Sequence, residues 1–147
     1  MRKITKIIVH CSATREGKDY SVETIRRWHL KRGWRDIGYH FVIQNDEEGT
    51  INEGRPIEQT GAHTKGENYC SIGICYIGGV EAQRDERGKW PAKDTRTPQQ
   101  KASLEELLCS LKIQYPQAVI YGHRDFSSKA CPSFDAKSEY EWISNQI

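Results

Sequence analysis

The stretch KITKIIVHCS, residues 3–12, gives the strongest indication of the fold. It is rich in β-branched residues and nearly continuous in apolar character, which is typical of a central strand buried on both faces. His10 stands at the end of the apolar run, where strand is expected to give way to loop. The stretch therefore predicts a buried sheet with an imidazole at the end of one strand.

Three further segments of the sequence are predicted to contain strands. They are expected within IGYHFVIQNDEEGTINEGR (37–55), SIGICYIGG (71–79) and AVIYGH (118–123). The first of these reads as a strand, a tight turn at Glu48-Gly49 and a returning strand. Alternation along its first half predicts that Tyr39, Phe41 and Ile43 share one face.

Helical patterns separate these strands. They cover YSVETIRRWHLKRGW (20–34), TPQQKASLEELLCSLKIQYP (97–116) and AKSEYEWISNQI (136–147). Ser21 and Asp135 are suited to cap the first and the last, while Thr97 and Gln100 form a capping-box pattern at the start of the second. Strands that alternate with helices predict an α/β domain around a mixed sheet.

The composition suits one domain over residues 1–147. Apolar residues make up 36% and charged residues 29%, and the net charge is 22 − 20 = +2. The charges are interspersed without a basic stripe, so we expect no nucleic-acid partner. No apolar run approaches the length of a membrane span, so we expect no membrane partner.

The N-terminal stretch MRKITKIIVHCSAT, residues 1–14, is basic, but its apolar run IIV is too short for a signal-peptide core. We therefore expect the product to be cytoplasmic on synthesis unless something else releases it. Five cysteines, an odd number, argue against a disulfide framework in such a chain. Cys70 and Cys75 would pair only in an oxidising space, and their spacing does not decide the question.

The segment YGHRDFSSKACPSFD, residues 121–135, places His123, Lys129 and Cys131 close together. A surface loop of assorted polar residues is one interpretation. The other is two metal ligands beside a positive charge, which needs a third ligand elsewhere. His10 lies at a strand end, where such a ligand is expected. His63 lies in a Gly-rich loop and is a second histidine that could face a cleft.

The remaining histidines are more typical of packing, since His29 falls in a predicted helix and His40 in a predicted strand. Two histidines and one cysteine leave a fourth tetrahedral position for water, which is the pattern of a catalytic zinc site. Lys129 would project to the same side as Cys131 in an extended segment, where its charge would stabilise an oxyanion. Spacing alone leaves both interpretations open.

Four blocks resemble a known family: IIVHCSAT (7–14), GWRDIGYHFVI (33–43), GAHTKGENYCSIGICYIGG (61–79) and KACPSFD (129–135). They are similar to the zinc-dependent N-acetylmuramoyl-L-alanine amidases, above all to the phage lysozyme-type amidases, whose fold is shared with peptidoglycan recognition proteins. The likeness runs in order from about residue 4 to the last helix. It implies an α/β fold with a central mixed β-sheet flanked by helices and with zinc in a groove on one side.

The resemblance also implies roles for individual residues. By their positions in the matching blocks, His10, His123 and Cys131 are the expected ligands of Zn²⁺. Tyr39 and Lys129 match residues that the family needs for catalysis without binding the metal. Tyr39 is expected to orient the attacking water or assist proton transfer, and Lys129 to stabilise the oxyanion.

His63 matches a histidine that lines the substrate groove in the family, so the resemblance makes it a substrate-binding candidate. One departure lies in the same loop, where Glu67 stands at a position at which relatives often have tyrosine. That difference concerns the recognition of substrate rather than the chemistry.

The function implied is hydrolysis of the amide between N-acetylmuramic acid and L-alanine, by a phage or prophage endolysin that acts on the cell wall after release. A cytoplasmic amidase that recycles soluble wall fragments is the alternative. A non-catalytic peptidoglycan-binding module and a structural zinc protein are two further classes. The expected partner is peptidoglycan or a muropeptide, and the expected state is a monomer.

Overall fold

The strands pair into two sheets in the computed structural model, which describes residues 2–146. The strands are β1 (Lys6–Cys11), β2 (Thr14–Arg15), β3 (Phe41–Ile43), β4 (Ile51–Glu53), β5 (Ser71–Tyr76), β6 (Gly79–Val80) and β7 (Val119–Gly122). The main sheet has the order β4-β3-β5-β1-β7, and β2 pairs with β6 beside it. β1 runs parallel to both β5 and β7, whereas β4 is antiparallel to β3. The sheet is therefore mixed, as the sequence predicts, and the N-terminal apolar stretch lies inside it.

Helices cover the sheet on both faces. They are α1 (Val22–Lys31), α2 (Pro98–Gln114) and the two short helices α3 (Ala136–Glu139) and α4 (Glu141–Ser144). α2 packs Leu104 and Leu108 into the larger core cluster, on one face of the sheet. α1 packs Ile25 against Val42 in a smaller cluster on the other face. None of the helices within residues 2–146 combines the length and apolar character needed to cross a membrane.

The helix ends follow the local signals in the sequence. Ser21 accepts a hydrogen bond from the Thr24 amide, and Thr97 and Gln100 form both bonds of a capping box. Asp135 accepts from the Ser138 amide at the start of α3. The predicted last helix is not continuous, however. The chain turns at Tyr140, whose buried ring packs edge-on to Phe134, so a tertiary contact interrupts the helix.

The strand predicted around Tyr39 begins later than expected. β3 starts at Phe41, and Tyr39 packs with the smaller cluster rather than beside Phe41 and Ile43. The cause is a close approach of backbones, because a Cβ at Gly38 would lie 2.3 Å from the Ala62 carbonyl oxygen. Residues 37–40 lie outside β3, although His40 still donates its main-chain N–H to the Gly73 carbonyl at 2.9 Å. The prediction that Tyr39 shares a face with Phe41 and Ile43 is therefore wrong.

All five cysteines lie within the described residues, and all are free thiols. The expectation that no disulfide framework forms stays a prediction. Cys11 points into the larger core cluster, away from the face that carries His10. Its side chain therefore contributes to packing.

Candidate metal centre

Strand alternation puts His10 on the sheet face opposite α2. Ile7, Val9 and Cys11 enter the larger core cluster, so His10 points to the other side, where it is only 1% exposed. Burial is the largest cause that lowers the pKa of His10 well below its usual value, followed by the neighbouring His63 and His123. His10 is therefore held as a neutral imidazole, which is the form that binds a metal.

The neighbouring strand brings His123 to the same place. β7 pairs with β1, and His123 follows β7 directly in a single 3-10 turn. The turn is fixed where Asp125 accepts a hydrogen bond of 2.8 Å from the Gly122 amide. The rings of His10 and His123 consequently lie 4.6 Å apart between centroids. Burial, and then the charge of Lys129, lower the pKa of His123 as well.

The loop after Lys129 supplies the sulfur. Cys131 Sγ lies 3.9 Å from His10 Nδ1 and accepts the main-chain N–H of Cys11 at 3.2 Å. Tyr76 holds this loop from within the core, since its hydroxyl donates to the Pro132 carbonyl at 2.6 Å. Ser133 donates to the Gly79 carbonyl at 2.7 Å on the other side. The thiol is thus anchored by neighbours in β1, β5 and β6.

The three donor atoms converge tightly enough for one ion. One ligand atom each from His10, His123 and Cys131 lies within 4.8 Å of the others. Zinc bonded tetrahedrally to nitrogen and sulfur separates such donors by about 3.3–3.6 Å, so small side-chain rotations close the site. Two neutral imidazoles with one thiol also form a donor set that zinc prefers. The residues therefore fit zinc.

Metal binding at this cluster must release a proton. A hydrogen bond with the Cys11 side chain, and then burial, raise the pKa of the Cys131 thiol above its usual value. The sulfur is consequently protonated in the metal-free protein, and a metal ion replaces that proton.

Tyr39 borders the cluster on the α1 side. Its ring centroid lies 5.2 Å from that of His10 and 5.4 Å from that of His29. Burial is the largest cause that raises the pKa of Tyr39 well above 10, with the nearby thiols adding to it. The protein alone therefore keeps this side chain as a neutral phenol, which both donates and accepts a hydrogen bond.

Lys129 is exposed, two residues before Cys131. Its main-chain N–H donates to Ser127 Oγ at 2.9 Å, which fixes the local turn. Its charge is felt by both imidazoles, since it contributes to the lowered pKa of His10 and of His123. The ammonium is therefore close enough to both imidazoles for its charge to act on them.

His63 lies behind His10 rather than in an open groove. It is 9% exposed, and its Nδ1 is 2.9 Å from His10 Nε2. Asn68 shapes the surrounding loop by accepting the main-chain N–H groups of His63 and Thr64, both at 2.9 Å. His63 therefore lies buried beside the candidate ligand His10, and its expected role in substrate binding stays a prediction.

Sequence reasoning missed two residues of this centre. Thr64 Oγ1 lies 3.2 Å from His10 Nε2, and Gly73 in β5 packs directly against the His63 ring. A glycine between two isoleucines in an otherwise buried strand was the signal for such a close approach. His29 and His40 each accept a main-chain N–H, from Gly38 and Gly73 respectively, so both are structural as expected.

A family model described as N-acetylmuramoyl-L-alanine amidase matches residues 1–134. The chain belongs to this amidase family. The match spans the three candidate ligands and Tyr39, so the four blocks that suggested the resemblance are parts of a family domain. The resemblance is thereby confirmed.

Similar proteins agree with that assignment. The amidase is 45% identical over 135 residues to the endolysin of Escherichia phage T7, covering 92% of this chain and 84% of that protein. It is 43% identical over 140 residues to the endolysin of Klebsiella phage KP32, covering 95% and 87%. Its structure is similar to the N-acetylmuramoyl-L-alanine amidase LysC from Clostridium intestinale, with a TM-score of 0.75, 29% identity and coverage of 97% and 83%. The α/β fold and the amidase class follow from these relationships.

Proposed function

We propose that this amidase is a zinc-dependent phage endolysin that hydrolyses the amide bond between N-acetylmuramic acid and L-alanine in peptidoglycan. The observation that carries the proposal is the convergence of one donor atom each from His10, His123 and Cys131, all within 4.8 Å of one another, near the ends of β1 and β7. Three protein donors leave one tetrahedral position free for water or substrate, as in catalytic rather than structural zinc sites.

Each of the three candidate ligands is held in place by a different part of the fold, which favours this role. His10 is fixed by its strand, His123 by the turn after β7, and Cys131 by the N–H of Cys11. Bound zinc would act as a Lewis acid and lower the pKa of a coordinated water toward ~7.

Tyr39 orients the nucleophile in this proposal. Its phenol is neutral, borders the His10 ring and hydrogen-bonds to the Cys75 side chain, so its remaining hydrogen-bonding capacity is available to a water at the cluster. A phenol with a raised pKa is a poor base at neutral pH, so positioning is its main contribution. A proton transfer through the hydroxyl requires the metal charge beside it.

Lys129 stabilises the charge that develops on the substrate carbonyl oxygen. Attack on the amide carbonyl moves an electron pair onto that oxygen, and an ammonium held nearby favours the resulting anion. The exposed position of Lys129 beside both imidazoles is consistent with this role. Zinc binding does not require it, because the ammonium has no lone pair to offer.

The substrate is reached after release of the enzyme from the cell that makes it, as the endolysin relatives suggest. All six functional candidates come from one chain, so we propose that the monomer is active and that peptidoglycan or a muropeptide is its partner. Recycling of soluble fragments in the cytoplasm is the competing use of the same chemistry.

Purified sacculi test the proposal directly. An amidase of this class leaves a new amino terminus on L-alanine, whereas a glycosidase leaves a reducing sugar end. We expect the wild-type protein to release L-alanine amino termini, to lose this activity with a chelator and to regain it with Zn²⁺. Full activity in the metal-free protein would contradict the zinc mechanism, and cleavage of small muropeptides without cleavage of sacculi would favour the recycling enzyme.

A further inference from the structure

The two ring nitrogens of His10 face different surroundings. Nδ1 lies on the side of Cys131 Sγ, at 3.9 Å, and belongs to the ligand cluster. Nε2 points the other way and lies 2.9 Å from His63 Nδ1 and 3.2 Å from Thr64 Oγ1. A ligand histidine usually donates its second N–H to a partner behind it, which fixes its tautomer and its orientation.

The position of the hydrogen on the His10 ring determines the tautomer of His63. When Nδ1 of His10 binds a metal, Nε2 carries the hydrogen and is a donor. The hydrogen goes either to His63 Nδ1 directly, or to Thr64 Oγ1, whose own hydroxyl then donates to His63 Nδ1 at 2.9 Å. Both arrangements make Nδ1 of His63 an acceptor, so its single proton resides on Nε2.

The far side of His63 suits that tautomer. Its Nε2 faces Ser71 Oγ at 3.4 Å, and the Ser71 hydroxyl donates onward to the Glu67 carbonyl at 2.7 Å. Ser71 Oγ therefore has lone pairs free to receive the imidazole hydrogen. The chain of hydrogen bonds runs from His10 through His63 to the main chain without an unpaired donor.

Two glycines form a slot for the His63 ring. A Cβ built at Gly73 would lie 2.5 Å from His63 Cδ2, and one built at Gly61 would lie 2.7 Å from the same atom. Any other residue at these positions would displace the ring. Gly73 pairs with Ile8 of β1, two residues before His10, so the slot is aligned with the ligand it serves.

We propose that His63, together with Thr64 and seated in the slot of Gly61 and Gly73, is a positioning residue that holds His10 in the tautomer presenting Nδ1 to zinc. The inference rests on the proposed zinc function and deepens it. It also replaces direct substrate contact as the role of His63, because a ring that is 9% exposed behind a ligand has little surface to offer a substrate.

Zinc affinity without substrate is the decisive readout. We expect His63→Leu to weaken zinc binding 10–100-fold in competition with a chromophoric chelator, the usual loss when such a partner is removed. His63→Asn should retain affinity within a few fold, because its amide oxygen replaces the Nδ1 acceptor. At saturating zinc, KM for a soluble muropeptide should stay at the wild-type value in both variants.

A second variant leaves every hydrogen-bonding group in place. Gly73→Ala should weaken zinc binding like His63→Leu, because its methyl group displaces the ring. His29→Leu is the matched control, since it removes a buried imidazole that is not part of the cluster and should leave zinc affinity unchanged. Circular dichroism spectra and melting temperatures show whether each variant is folded, and Gly73→Ala provides the test if His63→Leu is not.

The outcomes separate the two proposals. Unchanged zinc affinity in His63→Leu with a raised KM would overturn the positioning role and restore substrate contact. Equal weakening in His29→Leu would also overturn it, because the loss would then be general. If the wild-type protein itself binds no zinc stoichiometrically, the proposed function fails, and the positioning role fails with it.

Discussion

The two candidate imidazole ligands are already in the charge state that metal binding requires, whereas the Cys131 thiol must first lose its proton. His10 and His123 are neutral because burial lowers their pKa, and the Cys131 sulfur accepts the N–H of Cys11. An N–H directed at sulfur favours the thiolate that a metal requires. Only Lys129 among the candidates is exposed, so its contribution should be separable from metal binding.

Replacement of Cys131 by alanine should abolish stoichiometric zinc binding. Two imidazoles remain, and they hold zinc far more weakly than three ligands that include a thiolate. Metal content after dialysis, measured by mass spectrometry, checks this. Cys109→Ala is the control, because that thiol lies on α2 and packs against the larger core cluster, so its loss should leave one zinc per chain. A Cys131→Ala protein that retains one zinc would remove this residue from the ligand set.

Replacement of Lys129 by alanine should leave zinc content unchanged and reduce kcat by about 10²–10³, the usual loss of one oxyanion-stabilising donor. Lys101→Ala is the matched control, since Lys101 is exposed on α2, on the other side of the sheet. Turnover of a soluble muropeptide at saturating zinc measures the effect. Loss of zinc in Lys129→Ala would assign the residue a structural role instead.

The convergence of His10, His123 and Cys131 agrees with the residues that the sequence suggested as ligands, and their binding of zinc stays a prediction. His10 stands at the end of an apolar run, and His123 and Cys131 stand in one short loop, so their types and places suggested ligands. The position of His63 was not predictable in the same way. It depends on the slot at Gly73, where the glycine in a buried strand signals a close approach but does not identify the distant side chain that fills it.

At the scale of elements, Arg96 joins the segment before α2 to the short helix α3. Its guanidinium lies 3.4 Å over the Phe134 ring and donates to Asp94, Glu139 and the Tyr140 hydroxyl. Phe134 lies three residues after Cys131 in the chain. The network therefore supports the loop that carries Cys131, in addition to closing the core.

Arg96→Met should lower the free energy of unfolding by about 2 kcal/mol, the scale of lost hydrogen bonds to charged groups. Arg124→Met is the control, because Arg124 makes a solvent-exposed ion pair with Asp135 at 3.8 Å, which contributes little. Urea unfolding of both variants provides the measurement. Equal stability of Arg96→Met and wild type would show that the network does not hold α3 in place.

The same network predicts a stability that falls in acid. A hydrogen bond from Arg96 lowers the pKa of Glu139 below 4.5. Burial raises the pKa of Asp94, but the hydrogen bond and the charge of Arg96 outweigh burial, so this pKa lies below 3.8. Lowered carboxyl pKa values add stability that is complete above the unfolded values and is lost as pH falls through the folded ones. Urea midpoints between pH 6 and pH 3 should therefore decline less steeply in Arg96→Met. An identical decline would exclude these two carboxylates as its source.

Elements with local signals were predictable, and those bounded by tertiary contacts were not. The capping box of α2 depends on residues three apart, so the sequence predicted where it begins. β3 is shorter than predicted because Gly38 approaches Ala62, which is distant in sequence. The last helix is interrupted because Tyr140 turns into the core.

At the scale of the molecule, the two faces of the sheet have different tasks. The larger core cluster fills the face covered by α2, α3 and α4, while the candidate ligands His10 and His123 stand on the other face. Most of the apolar burial is therefore independent of the metal. The sheet supplies a rigid base on which the ligand side chains are held.

Removal of zinc should consequently leave the protein folded with a lower melting temperature. A ligand that binds only the native state adds stability that grows with its concentration, about 4 kcal/mol at a thousand times Kd. Scanning calorimetry with and without a chelator measures the difference, and far-ultraviolet circular dichroism reports the fold. Loss of secondary structure on chelation would mean that the metal is required for folding.

Anomalous diffraction at the zinc absorption edge tests the central claim most directly. Crystals of the zinc-loaded protein should show one strong anomalous peak, bonded to His10 Nδ1, to a ring nitrogen of His123 and to Cys131 Sγ, with no fourth protein atom attached. A peak at another place, or a fourth protein ligand closing the coordination sphere, would contradict the account.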